Sequence, residues 1–156
     1  MQVEALKKFT GLDLMFQTPR QNLNDGATAE YAVQVVKFIY QPCVIVQFGV
    51  RNTLDDQVLS KMTVKVSGFE SENLKVAGVV GLPEGETIKA GETKYLYVVL
   101  QRLTQESFPA CKMQQKLTMT ITEIDVDTED EIGSYEEDYA ISEVQIVMAD
   151  YVKHEI

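Results

Sequence analysis

The chain has 156 residues, 45% of them hydrophobic and 24% charged, with a net charge of −10. This length suits one domain with a real core, and the balance excludes a wholly disordered, collagen-like or repeat-built chain. The charge is lopsided: basic and acidic residues number 5 and 4 over residues 1–52, 8 and 8 over 53–122, and 1 and 12 over 123–156. An acidic C-terminal end repels phosphates and anionic headgroups, so neither nucleic acid nor a membrane surface is an expected partner.

Val3, Leu6 and Phe9 recur every third residue around Lys7 and Lys8, which allows a turn or two of helix stopping at Gly11. The stretch is too short and polar for a secretory signal, and no apolar run approaches the ~18 residues of a membrane span. The chain therefore reads as soluble and cytosolic. Residues 17–29 (QTPRQNLNDGATA) are rich in turn formers. The organisation expected is a short helix or linker over 1–29, a folded domain over 30–151, and the start of a connection over 152–156.

From Tyr31 the period is two. Tyr31, Val33 and Val35 alternate with Ala32, Gln34 and Val36, and Pro42 breaks the strand. Val44, Val46, Phe48 and Val50 form one face of the next strand, and apolar residues on both faces near its start place it centrally in a sheet. Asn52–Gln57 reads as a polar turn. Met62, Val64 and Val66 then alternate with Lys61, Thr63 and Lys65. Ser67–Asn73 reads as a loop and Leu74–Val80 as a strand, followed by turns at Leu82–Gly85 and Ala90–Glu92 with Ile88 isolated between them. Thr93–Gln101 is rich in aromatic and β-branched residues, with Tyr95, Tyr97 and Val99 on one face and Leu96, Val98 and Leu100 on the other. Arg102–Lys112 is irregular. Leu117, Met119 and Ile121 mark another strand, and Val144, Ile146 and Met148 a last one. These elements predict an all-β fold, an immunoglobulin-like antiparallel sandwich of about seven to nine strands, with a short N-terminal helix or linker.

No catalytic constellation emerges. His154 is the sole histidine and stands near the end, which leaves no Ser-His-Asp or Cys-His scheme and no two-histidine zinc site. Gly78, Gly81 and Gly85 do not make a phosphate-binding fingerprint. No cofactor, metal or catalytic residue is assigned, and the protein is not expected to be an enzyme. The acidic run admits three readings: a solvated loop joining two strands, a docking surface for a basic partner, or a calcium site. The calcium reading places Asp125, Asp127, Glu129 and Glu136 at EF-hand positions one, three, five and twelve. Position six, which needs glycine for its sharp turn, is Asp130. Tyr95 and Tyr97 belong either to the core or to a peptide groove. Cys43 and Cys111 are either two buried thiols of a reducing compartment or a single inter-sheet disulfide, although no tryptophan is present to pack against such a bridge.

Three segments resemble the appendage, or ear, of coatomer γ subunits. Val46–Val64 (VQFGVRNTLDDQVLSKMTV) is similar to that family's strand-turn-strand segment at Asn52, Thr53, Leu54, Asp56, Gln57 and Leu59. The acidic stretch from Asp130, with Tyr135-Glu136-Glu137-Asp138-Tyr139 and Val147-Met148-Ala149-Asp150-Tyr151, is similar to a second. Phe9-Thr10-Gly11-Leu12 with Phe16 resembles the linker before the first strand. The resemblance implies an immunoglobulin-like sandwich subdomain of a cytosolic vesicle coat, COPI, on Golgi membranes carrying cargo back towards the endoplasmic reticulum and within the Golgi. It implies other coatomer subunits as partners. It also implies an Arf GTPase-activating protein, received through a separate, tryptophan-centred platform subdomain. This chain reaches Ile156 without a tryptophan. The platform is therefore expected to lie outside it, and no binding residue is carried over. The alternatives are an appendage of a clathrin adaptor or of another coatomer subunit, and an unrelated extracellular immunoglobulin-like or calcium-binding sandwich.

Overall fold

The structure is a computed structural model that describes residues 14–17, 21–22, 31–40, 43–71, 74–103 and 111–146. Among these residues every regular element is a strand. Seven longer strands form the frame: β3 (Tyr31–Tyr40), β4 (Cys43–Asn52), β5 (Gln57–Glu70), β6 (Leu74–Val80), β8 (Thr93–Arg102), β9 (Cys111–Ile124) and β10 (Glu131–Ala140). Four short ones are appended: β1 (Leu14–Gln17), β2 (Gln21–Asn22), β7 (Thr87–Ile88) and β11 (Val144–Ile146). The helix expected within 1–9 lies outside the described residues. Gln17, Gln21 and Asn22, within the stretch expected as linker, pair with β3.

One sheet has the order β1-β3-β4-β8-β6, with β2 also on β3; the other has β10-β9-β5-β7, with β11 also on β9. All pairs are antiparallel. If the seven longer strands are lettered A to G in chain order, the sheets read A-B-E-D and C-F-G, the constant-type immunoglobulin arrangement.

The alternation read from sequence becomes the core. Val44, Val46, Phe48 and Val50 of β4 and Leu96, Val98 and Leu100 of β8 face Leu59, Met62 and Val64 of β5 and Leu117, Met119 and Ile121 of β9, all buried in one cluster. Hiding these stripes from water is what holds the sheets face to face, at about 25 cal/mol per Å² of apolar surface. The opposite face of β4 is buried as well. Cys43 and Ile45 pack with Tyr97 and Val99 in a second cluster, so the strand is central as expected. Ile88, isolated in sequence, is wholly buried, because β7 pairs it with Leu59.

Three departures from the sequence reading have physical causes. β5 runs on to Glu70 through the expected loop at Ser67–Asn73, because Gly68, Phe69 and Glu70 pair with Gln114, Met113 and Lys112 past a bulge. Arg102 ends β8, and Cys111 and Lys112 open β9, which narrows the irregular stretch expected at 102–112. The acidic run is not a loop throughout. Asp125–Asp130 turns the chain, and Glu131–Ala140 pairs with β9 from Ile124 back to Lys116.

Candidate interaction surface

The segment with the most distinctive composition, Asn52–Leu59, is a structural knot. Asn52 is wholly buried. Its Nδ2 donates to the carbonyls of Gln57 at 2.8 Å and Ile88 at 3.1 Å, and its Oδ1 accepts from the Leu54 amide at 3.0 Å. Its backbone is bonded as well: its amide donates to the Glu92 carbonyl at 3.2 Å, and its carbonyl accepts from Gly91 at 2.7 Å. The side chain thus ties the β4–β5 turn to β7, and the backbone of the same residue ties it to the turn before β8. Gln57 Oε1 accepts from the Tyr31 hydroxyl at 2.5 Å, and Leu59 enters the core. A primary amide suits this place because it offers two donors and an acceptor without charge. Asn52 and Leu59 thus frame the domain from inside, while Thr53, Asp55 and Asp56 of the turn between them are exposed.

The acidic segment is the opposite case. Asp125 Oδ1 accepts from the amides of Asp127 at 2.8 Å and Thr128 at 3.2 Å, an Asx turn that folds the β9–β10 connection. Glu129 takes a positive φ of 62° there, and its amide donates to the Asp125 carbonyl. Asp125 is thus engaged with its own turn, while Glu136 stands on β10. Among the described residues no group of three or more His, Cys, Asp or Glu is gathered as a metal would require.

β10 ends its sheet. One edge bonds to β9, and no described strand lies on the other. Every residue from Glu131 to Asp138 is exposed. The register puts Ser134, Glu136 and Asp138 beside Thr122, Thr120 and Thr118 on the outer face, and Tyr135, Glu137 and Tyr139 beside Ile121, Met119 and Leu117 on the core side. On that side Tyr139 meets the ring of Tyr31 edge-on, with centroids 5.1 Å apart. Tyr135 is 42% exposed and Ile132 68%. Asp138 takes Lys116 Nζ at 2.7 Å. Past Ala140 the edge bulges. Three residues, 141–143, stand opposite two of β9 before β11 resumes the pairing at Val144. Gln115 lies under this break, nearly buried, with Nε2 donating to the Ser142 carbonyl at 2.6 Å and Oε1 without a partner. Lys37 Nζ reaches from β3 to the Gln145 carbonyl of β11 at 2.5 Å.

Beside the 125–130 turn, the outer face of β5 and β9 forms a concavity of about 570 Å³, lined among others by Ser60, Thr87, Lys89, Thr122 and Glu129. Hydroxyls, an ammonium and carboxylates there offer recognition by hydrogen bonds and charge. The two tyrosines that share a face part company. Tyr97 is buried, its phenol pushed above its ordinary value by burial and partly offset by a hydrogen bond from Gln47 Nε2 at 3.3 Å. Tyr95 is 40% exposed and lies over Gly49, where a Cβ would come within 3.1 Å of its ring. Cys43 and Cys111 are buried and form no disulfide. They sit on the strands that correspond to B and F, but Cys43 faces the outer cluster and Cys111 the core. His154 lies outside the described residues.

A match covers residues 1–147 with the family described as coatomer gamma subunit appendage platform subdomain. The chain belongs to the coatomer gamma appendage family. Coatomer subunit gamma of Dictyostelium discoideum is 30% identical over 125 residues, covering 79% of this chain and 14% of that protein. Coatomer subunit gamma-1 of Oryza sativa subsp. japonica is 28% identical over 152 residues, covering 96% and 17%. The Rattus norvegicus gamma-1 subunit is 28% identical over 156 residues, covering 97% and 17%. This coatomer gamma appendage chain therefore spans less than a fifth of the length of these curated relatives. Among solved structures, the yeast GGA1 GAE domain superposes with a TM-score of 0.51 over 83% of this chain and all of that one, at 9% identity, a likeness of fold. Among the described residues no helix is long and apolar enough to cross a membrane.

Proposed function

We propose that the chain is the sandwich subdomain of a coatomer γ appendage, a non-catalytic module of a COPI coat in Golgi-to-ER retrograde and intra-Golgi transport. The observation that carries this reading is the family match over residues 1–147, joined to a constant-type sandwich that the Asn52 knot closes at one end. Other coatomer subunits are its assembly partners, and its place is the cytoplasmic face of Golgi membranes and their vesicles. In this reading residues 30–151 form the sandwich, and 152–156 begin the connection to a separate platform that receives an Arf GTPase-activating protein. The family description gives the word platform to residues 1–147. The two-sheet A-B-E-D and C-F-G order supports the sandwich assignment instead.

Two experiments test the proposal. A tagged parent subunit carrying this segment is expected to co-purify with other coatomer subunits from cytosol, and its absence from that complex refutes the coat reading. A pull-down with residues 1–156 alone is expected to recover no Arf GTPase-activating protein. Robust recovery places that binding in this domain and overturns the division of labour.

A further inference from the structure

We propose that the edge of β10 facing away from β9 is a strand-addition site for an extended basic segment of a partner protein, one in which lysine or arginine alternates with apolar residues. The inference deepens the reading of this domain as an interaction module and rests on it.

Along one edge of this ten-residue strand no described strand lies, and the backbone donors and acceptors of such an edge are a template for another strand. The charge on this edge selects its occupant. Glu131, Glu136, Glu137 and Asp138 are exposed along it, and no lysine or arginine occurs between Lys116 and Lys153. Lys116 is engaged with Asp138 from the neighbouring strand. A second copy is the wrong partner, because β10 against β10 sets four carboxylates on each side along one ladder, and like charges across a ladder repel. A basic strand meets the reverse. Side chains alternate between faces, so lysines on one face lie beside Glu136 and Asp138, while apolar residues on the other lie beside the half-exposed Tyr135. Glu137 also points to the core-side face, an inward charge of the kind that keeps an edge from indiscriminate pairing. The outcome is an edge closed to neutral and acidic strands and open to cationic ones.

The test uses the 156-residue chain and a fluorescent ten-residue peptide alternating lysine with valine or threonine, followed by anisotropy and amide hydrogen exchange. The expected result is saturable binding with exchange slowed across 131–140. Binding should weaken about tenfold or more when alternate peptide amides are N-methylated, which keeps the charge and removes the ladder donors. It should also weaken with added salt and in the Glu136→Lys/Glu137→Lys double variant, whose exposed positions leave the melting temperature near that of the parent. A glutamate-for-lysine peptide should not bind. Equal binding of the N-methylated peptide, protection centred on the 55–60 and 122–131 concavity, or no binding at millimolar peptide each overturns the proposal. Coat assembly is measured separately, so a chain that assembles but fails these assays refutes the edge site alone.

Discussion

Replacing Asn52 with alanine removes three hydrogen bonds at once. The Ile88 carbonyl loses its donor in a buried setting, a loss of about 1–3 kcal/mol. The Gln57 carbonyl and Leu54 amide are partly buried, and each loss costs about 0.5–1.5 kcal/mol. The sum, about 2–6 kcal/mol, is a large share of the ~5–15 kcal/mol that holds a domain folded. With a urea slope of about 2 kcal/mol per molar, the midpoint should fall by about 1–3 M. Asn52→Asp sharpens the test because it keeps the shape and turns the donor nitrogen into an acceptor facing two carbonyls. Burial and those carbonyls raise the pKa of this aspartate in the folded state above the ~3.9 of the unfolded chain. A raised folded pKa means that the variant comes nearest the parent below about pH 4 and loses ground as pH rises through the folded value. Urea melts followed by circular dichroism at pH 3.5 and 7 measure both effects. A deficit under about 1 kcal/mol for Asn52→Ala, or a pH-independent deficit for Asn52→Asp, refutes the hub.

Gly81→Ala sets a methyl 2.8 Å from the Met62 carbonyl and 2.9 Å from Thr63 Cβ, so thermal melts should show a loss of about 1–3 kcal/mol, whereas Gly78→Ala, with nothing within 4 Å, should be close to neutral. The phenols of Tyr97 and Tyr40 are raised, first by burial. Their contribution is intact below about pH 10, the unfolded value, and is lost as pH climbs through the folded one. Urea midpoints should therefore decline above pH 10, less steeply in Tyr97→Phe. Cys43 and Cys111 should react with a thiol reagent only on unfolding, and mild oxidation should give no intramolecular bridge, since they sit in different clusters. Rapid labelling of the folded chain overturns that placement.

The frame was legible wherever one face of a strand is buried. β3, β4 and β8 follow their alternating residues, and the central place of β4 follows from apolar residues on both its faces. β10 was hidden for the same reason in reverse: a strand exposed on both faces has no hydrophobic period, and its conformation comes from the edge of β9 rather than from its own side chains. The available signal was Tyr135 and Tyr139, paired opposite Ile121 and Leu117 and spaced to share one face. The Asn52 segment was visible as a family likeness but not as a knot, because its distant partner Ile88 reaches it only once β7 has paired with β5. Of the short strands the sequence marked β11 through Val144 and Ile146, but not β1, β2 or β7, which are held by neighbours rather than by propensity.

The break at 141–143 divides one long border into two parts with different anchorage. Below it, β11 is clasped by Val144 and Ile146 in the interior and by the ammonium of Lys37. Along β10, Tyr139 reaches inward to the ring of Tyr31, while every residue from Glu131 to Asp138 is exposed. Changes of charge on the exposed residues of β10 are therefore expected to leave the skeleton standing while altering what that border attracts.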